Sequence, residues 1–240
     1  MKKGKVFLLI AFAMIFAVAT VGQANAQVTY YFGDYNIFGT PPAGGGVLPT
    51  GDWAKAEFID VTGGVQLTLN VTNNLSVENI GEFYFNYAGD ATSLLISAQA
   101  GGGATAVISQ GSNAYQADGD GLYDLLFNFP PPPGEFAGKF TAGETIIYDI
   151  TGSGVSASNF YDLAATGGPN GPFYAAAKLQ GILCTDPDSL TYGDCEGDPP
   201  TTSSWSAGTT TVVPEPISST LFIVGGATLG FRRFRKKFKK

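Results

Sequence analysis

Val65-Gln66-Leu67-Thr68-Leu69-Asn70-Val71-Thr72 alternates an aliphatic residue with a polar one along its whole length. A period of two places the aliphatic side chains on one face of an extended chain and the polar ones on the other. The segment therefore reads as a strand with one face on a core and one face in water. Working outward, further strands are expected over Val28 to Phe32, Ala54 to Val61, Glu82 to Tyr87, Leu94 to Ser97, Ala104 to Ser109, Tyr123 to Phe129, Thr145 to Ile150 and Tyr174 to Leu183. Glycine-rich stretches at Pro41 to Gly46, Gly101 to Gly103 and Gly167 to Gly171 punctuate them. The 33 glycines and 14 prolines among 240 residues exceed ordinary usage and argue against long helices. The fold class expected is all-β, an antiparallel β-sandwich of jelly-roll-like character.

Composition removes several function classes. No histidine occurs anywhere, so imidazole-based triads and the usual zinc sites are excluded. Between residues 27 and 213 stand 19 acids against Lys55, Lys139 and Lys178, a net charge of −16. Such a body repels phosphate backbones, and no nucleic-acid partner is expected. Only carboxylate chemistry is left for catalysis, and glycoside hydrolysis needs two acids facing one another across a cleft. Glu57 with Asp60 and Glu78 with Glu82 show no such organised spacing, and no glycine-rich phosphate loop joins a strand to a helix. The reading is of a non-enzyme with no cofactor.

Both ends of the chain differ from the middle. Met1 to Lys5 is basic, Val6 to Val21 is apolar, and Ala24-Asn25-Ala26 supplies small residues two apart. Residues 1–26 are therefore expected to be a signal peptide, with signal peptidase cutting after Ala26 to leave Gln27 first. At the other end Pro214-Glu215-Pro216 precedes an apolar segment, 217–231, and a basic tail from Arg232 to Lys240. Two prolines hold Glu215 in an extended form, and Pro216 suits the first position of a following helix. That transmembrane helix would be about 22 Å long, short of a roughly 30 Å hydrocarbon core, with the basic tail on the cytoplasmic side.

This arrangement resembles the PEP-CTERM sorting signal of Gram-negative bacteria, in which Pro-Glu-Pro, one apolar helix and an arginine-rich tail are read by an exosortase. The resemblance covers residues 213–240 and implies transient residence in the inner membrane, then delivery to the cell surface or extracellular matrix, often among extracellular polysaccharide. The body also looks like the β-rich passenger regions of such proteins over Val65-to-Val71, Glu82-Phe83-Tyr84-Phe85-Asn86, Asp118-to-Phe129, Phe140-Thr141-Ala142-Gly143-Glu144 and Phe173-to-Gln180. Lys178 stands where that group often has histidine.

The body is placed at 27–196, followed by 197–213, a Ser/Thr/Gly/Pro-rich stretch that reads either as a stalk or as a last strand made by Trp205 and the following residues, with Thr209 to Val213 a further strand candidate. Cys184 and Cys195 enclose a polar, turn-rich loop within the exported part and are expected to form a disulfide. Asp118, Asp120 and Asp124, around Gly119 and Gly121, are candidate ligands for calcium, with an acidic turn entering the following strand as the alternative. A structural or matrix-associated role is the leading functional expectation. The alternative is a lectin-like module, with sugar stacking on rings from Tyr30-Tyr31-Phe32, Phe83-Tyr84-Phe85, Tyr87 or Trp53.

Overall fold

The computed structural model describes residues 26–99, 104–129, 139–189, 191–195 and 200–213. The leader, the Pro214-Glu215-Pro216 motif, the apolar segment 217–231 and the basic tail lie outside the described residues. The described strands are β1 (Gln27–Gly33), β2 (Ile37–Phe38), β3 (Asp52–Val61), β4 (Gly64–Val71), β5 (Asn79–Phe85), β6 (Leu95–Ala98), β7 (Val107–Ala117), β8 (Asp120–Asn128), β9 (Thr145–Thr151), β10 (Ala175–Leu183), β11 (Thr201–Ala207) and β12 (Thr209–Val213). They form two six-stranded antiparallel sheets that pack as a β-sandwich. The first runs β12-β1-β3-β4-β9-β6 and the second β2-β11-β10-β5-β8-β7. Among the described residues no helix is long and apolar enough to cross a membrane.

The alternation in β4 is realised as read. Val65, Leu67, Leu69 and Val71 are fully buried, while Gln66, Thr68 and Asn70 between them are half-buried. Rings fill the space between the sheets: Phe58 of β3 stacks on Phe160 at 4.3 Å and meets Phe85 of β5 edge-on at 5.1 Å. Phe83 and Phe127 of the second sheet and Tyr30, Phe32 and Tyr148 of the first complete this aromatic layer. Each ring removed from water contributes roughly 1.5–3 kcal/mol, so these side chains dominate the core.

The turns follow from local chemistry. Ala117 faces Asp120 across β7 and β8, leaving Asp118-Gly119 as a two-residue hairpin loop. Both loop residues have positive φ, 48° and 79°. This is what a primed hairpin turn requires and why Asp-Gly is favoured there. The acidic-turn alternative for this segment is therefore the one realised.

Three strands depart from the expectation. β7 extends to Ala117, well past Ser109, because Gln110-Gly111-Ser112-Asn113 has no apolar alternation to mark it and is held in the sheet by β8 with register shifts. Ile37–Phe38 pairs with β11 although it is only two residues long. Thr201–Ala207 is not a stalk but the strand between β2 and β10, and Thr209–Val213 is a separate strand beside β1. Ser204 and Ser206 of β11 are fully buried. The Ser206 hydroxyl donates to the Gly33 carbonyl and accepts from the Gly33 amide, each at 2.9 Å, so a polar side chain occupies an interior place without loss of hydrogen bonding.

Candidate functional site

The three aspartates considered for calcium point to three different loops. Asp118 accepts from the Thr40 amide at 2.9 Å. Asp120, almost wholly buried, accepts from the Asn170 backbone amide at 3.0 Å and side-chain amide at 2.7 Å. Asp124, 8% exposed, accepts from the Tyr87 amide at 3.0 Å and the Asn113 amide at 2.7 Å. Their oxygens satisfy backbone donors rather than converging. Among the described residues no group of three or more carboxylate or thiol side chains is arranged to hold one metal ion. In the structure the three aspartates read from sequence act as three separate loop clamps.

Asp124 nonetheless lies in a concave place. With Tyr87, Ser112, Asn113, Asp162 and Leu163 it lines a hollow of about 460 Å³ at the end of β5, beside the irregular part of β7. Asn113 has φ 51°, a left-handed conformation that asparagine tolerates better than most residues. The Asp124 hydrogen bond to its amide holds it there. Ser112 and Asn113 are exposed, as is Leu163.

A second constellation lies along one row of the second sheet. Registers pair Phe38 with Trp205, Trp205 with Lys178, Lys178 with Glu82, and Glu82 with Asn128. Lys178 Nζ is 3.6 Å from Glu82 Oε1 and 5.2 Å from the centre of the Trp205 ring. The Tyr84 hydroxyl donates to Glu82 Oε2 at 2.6 Å. Burial, and then this hydrogen bond, push the Tyr84 phenol well above its ordinary range. Glu82 and Lys178 fall in two separate stretches, and only the β5–β10 register brings them together.

The rings considered for sugar stacking are turned inward except for Tyr31, which is half-buried. Tyr30, Phe32, Trp53, Phe83 and Phe85 are fully buried, and Tyr84 and Tyr87 are nearly so. An accessible aromatic pair is formed instead by exposed Tyr161 and half-buried Tyr174, stacked at 4.4 Å between ring centres and 7° between planes. Tyr174 opens the expected strand Tyr174 to Leu183, whereas no periodic strand pattern surrounds Tyr161.

Cys184 and Cys195 are joined as a disulfide. Gly44, from the glycine-rich Pro41 to Gly46 stretch, lies against it so closely that a β-carbon there would come 2.6 Å from Cys195 Sγ. The Gly44 carbonyl accepts from the Thr185 and Asp186 amides. Of the residues around the expected signal cleavage, Ala24 is outside the described residues, while Ala26 is buried and Gln27 opens β1. Asp60 accepts from the Ala26 amide through Oδ2 at 3.2 Å, and its own amide donates to the Ala26 carbonyl at 3.1 Å.

Fold and site together define a disulfide-bonded antiparallel β-sandwich with an acidic body and a polar hollow at the end of β5. Compared with protein-family models, curated proteins and solved structures, the chain matches none.

Proposed function

We propose that the chain is an exported surface or extracellular-matrix protein of a Gram-negative bacterium, released from its leader by signal peptidase and from its tail by an exosortase. In this reading its jelly-roll-like body is structural or matrix-associated and has no catalytic activity. The observation that carries the proposal is the pairing of Gln27 with Val213 in neighbouring antiparallel strands. By sequence, only five residues separate the apolar run ending at Val21 from Gln27, and three separate Val213 from Ile217. A domain folding between two membrane-inserted segments on such short connections must have both its ends at one place. A sandwich with its ends at opposite poles would have to stretch one connection across the whole domain. The disulfide adds support, because such bonds persist in oxidising compartments outside the cytoplasm.

Intact mass of the protein recovered from the cell surface tests the delivery. A chain that starts at Gln27 and lacks Arg232 to Lys240 is expected, and one that retains the basic tail overturns the sorting reading. Release of reducing sugar from polysaccharides, abolished by a single Asp or Glu replacement in a folded variant, would overturn the non-enzyme reading.

A further inference from the structure

We propose that the hollow around Asp124 binds a neutral, hydroxyl-rich ligand, a short stretch of uncharged polysaccharide. This deepens the sugar-binding alternative for the body and does not depend on how the protein is delivered.

The volume of about 460 Å³ lies within the range typical of small-molecule sites, roughly 300–1,000 Å³. Its lining combines two kinds of polar group. Asp124 and Asp162 offer acceptors, while Ser112 and the Asn113 side-chain amide offer donors. Leu163, 46% exposed, adds an apolar wall. No lysine or arginine lines the hollow, so two carboxylates would repel an anionic ligand such as a uronate. An ammonium ligand can only donate, so it would use the carboxylates and the Ser112 and Asn113 side-chain oxygens but leave the Asn113 side-chain N–H groups without an acceptor on the ligand. A calcium ion would need six to eight oxygens close together, and no three acidic side chains gather here. A hydroxyl donates and accepts at once, and it is the group that matches this mixture.

Rigidity comes from the same geometry. Both Asp124 oxygens already accept a backbone amide, one from the end of β5 and one from the turn in β7. The carboxylate is thereby fixed in place, and each of its oxygens has capacity for a further hydrogen bond. A preformed acceptor of this kind reduces the ordering that binding requires.

The test uses the mature protein, titrated with cellohexaose, laminarihexaose and mannohexaose as neutral probes, with polygalacturonate, spermidine and calcium chloride alongside, followed by amide chemical shifts. The expected result is a saturable change with at least one neutral probe, confined to residues 86–89, 112–113 and 162–163. Ser112→Ala and Asp162→Ala should each weaken that binding by about fivefold, the loss of one hydrogen bond, without moving the melting temperature. The proposal is overturned by saturable change only with polygalacturonate, spermidine or calcium, by neutral-probe shifts elsewhere on the sandwich, by no saturable change with any neutral probe, or by variants that bind as well as the parent. A protein whose tail is retained at the surface, yet which binds as expected, would overturn the sorting reading and leave this site standing.

Discussion

The Lys178 ammonium lies 5.2 Å above the Trp205 ring while also facing Glu82, so a cation, its counter-ion and an aromatic face meet across three adjacent strands. Cation–π contact contributes on the order of 0.5–2 kcal/mol depending on desolvation, and the lysine stem covers apolar surface besides. Lys178→Ala should therefore lower unfolding stability by about 1–2 kcal/mol. Lys178→Met, which keeps the stem, should lose less. Equal losses in the two variants by urea denaturation would show that the charge, not the packing, is what matters.

Reduction of the Cys184–Cys195 disulfide should remove about 3 kcal/mol through the freed loop entropy. It should also loosen the 41–46 segment, because Gly44 is seated directly on the two sulfurs. Denaturation with and without reductant measures the first effect, and limited proteolysis within 41–46 measures the second. Thiol labelling of the unreduced, folded protein should find neither cysteine.

Ala26 belongs to the folded body by its hydrogen bonds, although the expected peptidase cut would remove it. A protein beginning at Ala26 should be about 1–2 kcal/mol more stable than one beginning at Gln27, because two hydrogen bonds to Asp60 survive. Asp60→Ala should shrink this difference, leaving only the backbone bond. Equal melting of the two proteins would show that the Ala26–Asp60 pair contributes nothing.

Stability should fall steeply in alkali. Burial raises the phenols of Tyr30, Tyr84, Tyr123 and Tyr148, so the folded protein keeps protons that the unfolded chain gives up near pH 10. Tyr35 is pushed up to about 12, first by partial burial and then by its 2.7 Å hydrogen bond to Asp52. A raised phenol contributes fully below the unfolded value, and its contribution is lost as pH rises through the folded one. For Tyr35 that window runs from about 10 to about 12. Melting temperature against pH should thus be unaffected by these groups below about pH 9 and drop above pH 10, with a gentler drop in Tyr84→Phe.

Millimolar calcium should leave the melting temperature unchanged. Asp118, Asp120 and Asp124 hold three separate loops through backbone amides, and a shared cation has no converging ligands there. A calcium-dependent rise that disappears in Asp118→Asn or Asp120→Asn would contradict this assignment.

What the sequence determined by itself is local and periodic. Val65 to Val71 displayed its two faces because apolar and polar residues alternate at the period of the pleat. The Asp118-Gly119 turn was legible as an alternative because those residue types tolerate positive φ, and the disulfide because the chain has only two cysteines, close together. The tertiary structure alone decided the rest. Thr201–Ala207 reads as a stalk as readily as a strand because serine and threonine are polar, and its pairing with β10 and β2, with Ser206 bonded to Gly33, makes it an interior strand. Lys178, Glu82 and Trp205 are far apart along the chain and meet through strand register, which long-range pairing sets. The hollow exists because Asp124 ties the end of β5 to a left-handed turn in β7. Side-chain polarity is written residue by residue. Whether a polar group is buried with a partner or left facing solvent depends on which distant backbone the fold brings to it.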